Sequence, residues 1–445
     1  MVMETKTTTQ QINRIDEFRQ VIYECAFWKE QDAQFELLDA LSSTAHAIRS
    51  FPELSLSPFF RREWSSAYAA MERGRQDRKW LTRYLSRQIQ PNSEGVVLLP
   101  LDMSAWPRPA AETLPDRQLV HSSTADVTGE DIVVGQPYSL LGWVAEPGES
   151  WTLPVRGIRI PSHQTEAEAG VAQVLAFCKA RGAAALERHL HIVMGDGKYG
   201  NHRFFGPLRD SACAELARMR CDRVLYGRPE PQLESERGPG RPRKHGDRFS
   251  FKEPETWPEP EQHMDLEDDE YGQVDIRYWS DLHALEDAAT PFAVLRIQTH
   301  LERDTPSDPE WLGWQGPDYP ADKLWYYYLE RPTLEQSIRW RKQLLHWTLP
   351  EFQANEVADN WSTLVTLAQW QLYLARDCVP DQPLPWQPPQ EDLTPRRVQQ
   401  GIWVLFLEVS TPAAAPKTRG NSPGWPEGQP RRPPQRYEVV KKRDP

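Results

Sequence analysis

The chain has no long hydrophobic run: among 445 residues no apolar stretch exceeds six, VVLLPL and IWVLFL being the best. A membrane-spanning helix needs about 20 such residues, so no membrane partner is expected. The opening MVMETKTTTQQ lacks the charged-then-apolar pattern of a secretory leader, which predicts a cytoplasmic protein. Cysteine is scarce: Cys25, Cys178, Cys213, Cys221 and Cys378 are scattered, with no CxxC pair. That argues against both a disulfide framework and a structural zinc site. The eleven histidines form no HxxxH pair, which leaves His191 and His202 as bystanders. Basic charge is also short, with 52 Lys and Arg against 64 Asp and Glu and a net charge of −12. At face value that balance disfavours a nucleic-acid partner. Proline, by contrast, is abundant at 40 residues, and tryptophan at 18. The length predicts two or three compact units.

The acidity is local. Residues 253–270 hold nine acids and no Lys or Arg, and without them the net charge rises from −12 to −3. Residues 61–87 and 416–445 each carry eight bases and three acids. Two basic patches thus flank a near-neutral body, and the acidic, Pro-rich stretch reads as a loop or flexible insert.

Hydrophobic spacing divides the chain. Residues 11–90 read as helices: Ile15, Phe18, Ile22 and Cys25 recur at helical intervals, as do Phe35, Leu38 and Leu41. Ser57-Pro58 is a plausible start for one helix and Asp77 a cap for RKWLTRYLSRQI. From residue 96 the pattern becomes strand-like. VVLLPLD, YSLLGWVAE and WTLPVRGIRIP read as strands, with Pro147-Gly148 turning between the last two. QTEAEAGVAQVLAFCKARG reads as a helix, HLHIVMGD as a strand, SACAELARMR as a helix and DRVLYGR as a fifth strand. The order β-β-β-α-β-α-β predicts an α/β unit with a mixed sheet. Residues 229–322 interrupt it with only two clear strand runs, VDIRYWS and FAVLRIQTHL, before the long helices RPTLEQSIRWRKQLLHW and DNWSTLVTLAQWQLYLARD.

Asp102 and Asp196 end separate predicted strands. Either alone reads as a turn or cap residue, but side by side they would make an oxygen-rich pocket suited to Mg²⁺. A third acid from a packing helix would complete a two-metal site for phosphoryl transfer. The helix after the insert offers Glu335, with Arg339 and Lys342 on the same face. Around it the sequence reads Tyr328-x2-Arg331-x3-Glu335-x6-Lys342, within YLERPTLEQSIRWRK. Here the chain resembles the DDE transposases of bacterial insertion sequences that carry a Tyr-Arg-Glu-Lys signature. LPLDMSAWPRP around Asp102 and GDGKYGNHRF around Asp196 are similar to that family's two aspartate motifs, and PGRPRKHGDRF, LPWQPP and LTPRRVQQG look like one subgroup.

The resemblance implies an RNase H-like mixed sheet with flanking helices and a β-containing insert, behind an all-helical N-terminal domain. It implies catalytic acids Asp102, Asp196 and Glu335 holding two Mg²⁺ ions, with Mn²⁺ able to substitute, and Tyr328, Arg331 and Lys342 on the DNA backbone near the cut. The activity implied is cleavage at transposon ends and strand transfer into target DNA, by a homodimer when the ends are paired. A catalytically silent DNA-binding regulator and a nuclease that cuts without joining are the alternatives. The loop with Arg241, Arg243 and Lys244 resembles a minor-groove hook, and His202 could also reach DNA. The tail bases suit nonspecific phosphate binding. Trp257, Trp279, Trp311 and Trp314 could stack on a flipped base, although core packing is the better reading. The expected division is a DNA-binding domain at 1–90, a catalytic domain at 91–377 interrupted by 229–322, and a basic Pro/Gly-rich region at 378–445.

Overall fold

A computed structural model describes residues 2–121, 132–230, 243–300 and 307–418, with side chains from residue 9. In the tail it describes 424, 426, 428–430 and 433–441. Helices come first: α1 (Val2–Val21), α2 (Gln31–Ser43), α3 (Trp64–Arg73) and α4 (Arg78–Gln88), with a ribbon of β1 (Phe27–Lys29) and β2 (Arg75–Gln76). Asp77 caps α4 as its position predicts, its carboxylate accepting from the Trp80 amide at 2.8 Å. Ser57 does not open a helix. It forms only a turn, and α3 begins at Trp64 without a side-chain cap.

The sheet follows, with β3 (Val96–Pro107), β4 (Gln118–His121), β5 (Ile132–Val144) and β6 (Thr152–Arg159). Next come α5 (Glu166–Arg181), α6 (Ala183–Arg188), β7 (Leu190–Gly195), α7 (His202–Leu208) and β8 (Ala214–Met219). A capping box between Thr165 and Glu168 fixes the start of α5. The spatial order β6-β5-β3-β7-β8 is that of an RNase H-like sheet, with β6, β3, β7 and β8 running one way and β5 alone opposite to them. β3 is buried along almost its whole length, as a central strand covered on both faces must be.

One segment departs from its local signal. SACAELARMR is rich in good helix formers, yet its second half is strand β8, and the preceding helix is α7 in HRFFGPL. Tertiary pairing overrides propensity here, because β8 lies between two strands and is buried on both faces. DRVLYGR accordingly is not the fifth core strand. It holds the short β9 (Val224–Tyr226), which pairs within the insert.

The insert is mostly sheet. β9 and β10 (Arg248–Ser250) form a small hairpin, and β11 (Gln262–Asp268), β12 (Gly272–Ala284), β13 (Asp287–His300) and β14 (Glu310–Gln315) are antiparallel neighbours. β14 then pairs with β8, so core and insert share one sheet, of 12 strands among the described residues. The acidic stretch is therefore no simple loop. Its second half is the exposed edge strand β11, whose side chains alternate between part-buried and exposed. The insert tryptophans pack inward: Trp279, Trp311 and Trp314 are buried, and Phe251 stacks on Trp311 with ring centroids 4.0 Å apart.

The chain closes with α8 (Ala321–Leu329), α9 (Pro332–Gln343), α10 (Asn355–Ala375) and α11 (Pro395–Glu408). α10 is buried nearly all round and packs against α2, α3, α11 and β6. Arg19 of α1 ties this layer together, donating to Asp39 of α2 at 2.5 and 2.9 Å and to Gln371 of α10 at 3.1 Å. The N-terminal helices thus share one continuous core with α10 and the sheet.

Candidate active site

β3 and β7 run parallel and their pairing stops at Leu101 opposite Gly195. Asp196 follows the end of β7, whereas Asp102 does not end its strand as the sequence suggests: it lies inside β3, which runs on to Pro107 paired with β5. The two acids are thus neighbours where β7 stops alongside β3, and the end of a parallel strand is a usual place for a site in such folds. Asp102 is buried and accepts from the Met103 amide at 2.7 Å. Asp196 is half-buried and accepts from the Lys198 amide at 3.0 Å in the turn that follows β7.

Glycine makes this turn possible. A Cβ on Gly195 would lie 2.7 Å from Tyr199 Cβ, and one on Gly170 of α5 would lie 2.6 Å from Tyr199 Cε1. The buried Tyr199 ring is therefore wedged between strand end and helix, and it holds the Asp196 turn down.

The third acid arrives from α9. Pro332 lacks an amide hydrogen and so can start a helix but not continue one, which separates α9 from α8. α9 lies on the sheet through Leu334, Ser337 and Ile338, with Ser337 Oγ donating to the Thr152 carbonyl at 2.8 Å. Gly142 of β5 permits the close approach, since a Cβ there would meet Leu334 Cδ1 at 3.0 Å. Glu335, beside Leu334, is left exposed at the rim.

Arg331 joins the acids. It donates to Glu335 Oε1 at 2.6 Å and to Asp102 Oδ2 at 2.9 Å. Burial pushes the Asp102 carboxyl up to about 6; Arg331 opposes that shift, while the Asp196 and Glu335 charges add to it. Burial disfavours the Arg331 charge, but the surrounding acids outweigh it and its pKa is raised. The guanidinium thus sits among the carboxylates as a built-in counter-ion. Sequence spacing hints at only half of this, the i,i+4 pair with Glu335.

Other expected positions fall in different places. Tyr328 is buried, and its hydroxyl donates to the Gly195 carbonyl at 3.2 Å. It braces the end of β7, and a DNA contact through that hydroxyl would require the bond to open. Lys342 lies two turns beyond Glu335 on α9 and is part-buried. Arg243 and Lys244 are exposed just before β10, remote in sequence from all three acids, and Arg241 lies outside the described residues. Bases of the tail such as Arg419, Arg431 and Arg432 also lie outside them. His202 faces Glu286 of the insert at 3.7 Å, and His191 is buried, which pushes its imidazole down to about 4.

Can these residues hold a divalent cation? Two of the three carboxylates share one guanidinium in direct contact, Asp102 being desolvated, and Asp196 has no base within 4.0 Å among the described residues; such an undercompensated oxygen donor set suits a hard cation. Their ligand atoms are not gathered within 4.8 Å of one another, which is consistent with Arg331 lying between two of them. One group among the described residues is that compact: His263 and Asp265 of β11 with Asp275 of β12. It is a possible metal-binding group, but Asp275 also accepts from Arg277 and Arg296, both at 3.1 Å.

Compared with known families, the chain matches the one described as DDE superfamily endonuclease over residues 23–281, a span that includes Asp102 and Asp196 and ends before Glu335. No curated protein matches it.

Proposed function

The chain belongs to the DDE superfamily of endonucleases, and on that premise we propose that it is an insertion-sequence transposase of the Tyr-Arg-Glu-Lys type. It would cut DNA at transposon ends and join those ends to target DNA. The observation that carries this reading is that Asp102 of β3 and Asp196, just past β7, are neighbours where the pairing of those two strands ends, with Glu335 tied to Asp102 through Arg331.

Asp102, Asp196 and Glu335 would hold the metal. Divalent cations such as Mg²⁺ or Mn²⁺, when bound, supply Lewis acidity for in-line phosphoryl transfer, two ions serving the attacking and leaving oxygens. Asp102 and Asp196, fixed on adjacent strands, define one wall of the site, and the Tyr199 wedge and the Tyr328 hydroxyl keep that wall in register. Glu335 faces the opening from α9, where a DNA strand would enter. Arg331 balances the acids in this structure, and on cation binding it would turn to a phosphate oxygen, for which its planar fork is suited. Lys342 would add a second phosphate contact. The N-terminal helices would bind DNA, and a homodimer would pair two ends.

End-labelled transposon-end DNA with Mg²⁺ tests the reading. The parent protein should cut and join, whereas Asp196→Asn should bind without cutting. Cutting by Asp196→Asn at the parent rate would remove that residue from the site. Cleavage with no joined product would reduce the assignment to a nuclease.

A further inference from the structure

The eight bases of residues 61–87 do not form one uniform patch. Five face acids: Arg61 and Arg62 pair with Glu36 at 2.7 and 3.3 Å, and Arg73 with Glu30 at 3.0 Å. Arg75 lies 3.8 Å from Glu356, and Arg78 lies 3.4 Å from Asp359. The other three, Lys79, Arg83 and Arg87, are exposed and have no acid within 4.0 Å among the described residues. All three are on α4, four residues apart, and so form one stripe along its length.

Packing fixes which way that stripe points. Leu81 and Leu85 are buried, and Arg181 of α5 donates to the Ser86 carbonyl at 2.8 Å, which fastens the inner face of α4 to its neighbours. Positions two residues away lie about 200° around a helix, so Lys79, Arg83 and Arg87 must face outward. No acid lies within α4. Helix stability does not account for the stripe. Arg87 suits the negative C-terminal end, but Lys79 sits in the first turn, where the helix dipole disfavours a cation.

We infer that this face of α4 is a track for the phosphate backbone of duplex DNA. The inference rests on the proposed DNA-directed activity and assigns one binding surface to it. Eight residues from the first cation to the last span about 12 Å at about 1.5 Å per residue. Each strand of duplex DNA carries one phosphate charge per about 3.4 Å of axis, so the stripe is long enough to meet about three of them on one strand. Three flexible cations with no ion-pair partner within 4.0 Å among the described residues can each displace a condensed counter-ion. The five paired arginines release less, because their charge is already met.

The test is the salt dependence of binding to a duplex that lacks transposon-end sequence, with full-length protein. Each phosphate contact contributes about 0.9 to the slope of log affinity against log salt. The variant K79A/R83A/R87A should therefore show a slope smaller by about 2 to 3. Its melting temperature should stay near the parent's, since alanine is favourable at exposed helix positions. Removing the paired Arg61 and Arg73 instead should change the slope by less than about 1. If the triple variant keeps the parent slope while the parent binds and cuts DNA, the track is wrong and the transposase reading stands. A parent protein with no affinity for duplex DNA would overturn both.

Discussion

Two groups of acids in this molecule invite the same reading and differ in one respect. Where the pairing of β3 and β7 ends, Asp102 and Glu335 share a single guanidinium in direct contact, Arg331, and Asp196 has no base within 4.0 Å among the described residues, so three acids meet one base. On the insert, Asp275 alone meets both Arg277 and Arg296, while Asp265 lies 3.9 Å from His263, so the group's two acids are matched by two bases before any cation arrives. The insert group is the more compact, and the sheet-end group is the more deeply set and the less balanced. Proximity of ligand atoms thus ranks the two in one order and uncompensated charge in the other. For a hard divalent cation, charge decides: it must repay the loss of its hydration, and neutralised carboxylates offer it little.

The largest effect that could break this contrast is on cleavage. Asp102→Ala or Glu335→Ala should lower Mg²⁺-dependent cutting of end DNA by about a thousandfold or more, the scale expected when a metal site is lost. Asp275→Ala should leave the rate within about a factor of two. Equal losses at the two sites would end the distinction between them.

Next comes the counter-ion. With Arg331→Gln, Mn²⁺ titrated into DNA-free protein, followed by calorimetry or by its paramagnetic signal, should bind about tenfold more tightly, a difference of about 1.4 kcal/mol. Unchanged affinity would mean that Arg331 does not compete with the cation. The corresponding change in the insert, Arg277→Gln, leaves Arg296 in place and should have a smaller effect.

The third expectation concerns metal-free stability. The folded Asp102 carboxyl titrates near 6 rather than at its ordinary 3.8, so between those values the folded protein binds more protons than the unfolded chain. Stability should therefore fall as pH rises from about 4 to about 6, by on the order of 3 kcal/mol, at about 1.36 kcal/mol per pKa unit. Denaturant midpoints across that window should lose most of the slope in Asp102→Asn. A slope that persists in this variant would place the titration elsewhere.

The smallest effect belongs to the insert pair. Asp275 is part-exposed, and Asp275→Asn should cost no more than about 1 kcal/mol in a melting experiment.

Much of this contrast was legible in the sequence, and the reason is physical. Asp102 and Asp196 each follow a run of residues buried on both faces, and such a run reads as a strand whatever its partners are. Glu335 stood out through its fixed spacing from Tyr328, Arg331 and Lys342 on helical sequence. What stayed hidden depended on residues distant in the chain. β8 carries a helical local signal, and it becomes a strand only because β7 and β14 lie on either side. The acidic stretch looked like solvated loop because alternation along β11 is masked when nearly every second residue is charged. The bond from Arg331 to Asp102 was hidden too, because it crosses from residue 331 to residue 102, which no local pattern records.

The pairing of β14 with β8 bears on how such a protein could be shortened. If the insert hung from the core as an appendage, excising it would leave a smaller, soluble enzyme. Here excision would strip the partner from a strand whose backbone ladder lies in the middle of the sheet, and an uncovered strand of that kind tends to recruit another chain. Deleting residues 229–322 should thus yield aggregate rather than a minimal catalytic domain. The segment that looks dispensable in the linear chain also keeps the core from sticking to copies of itself.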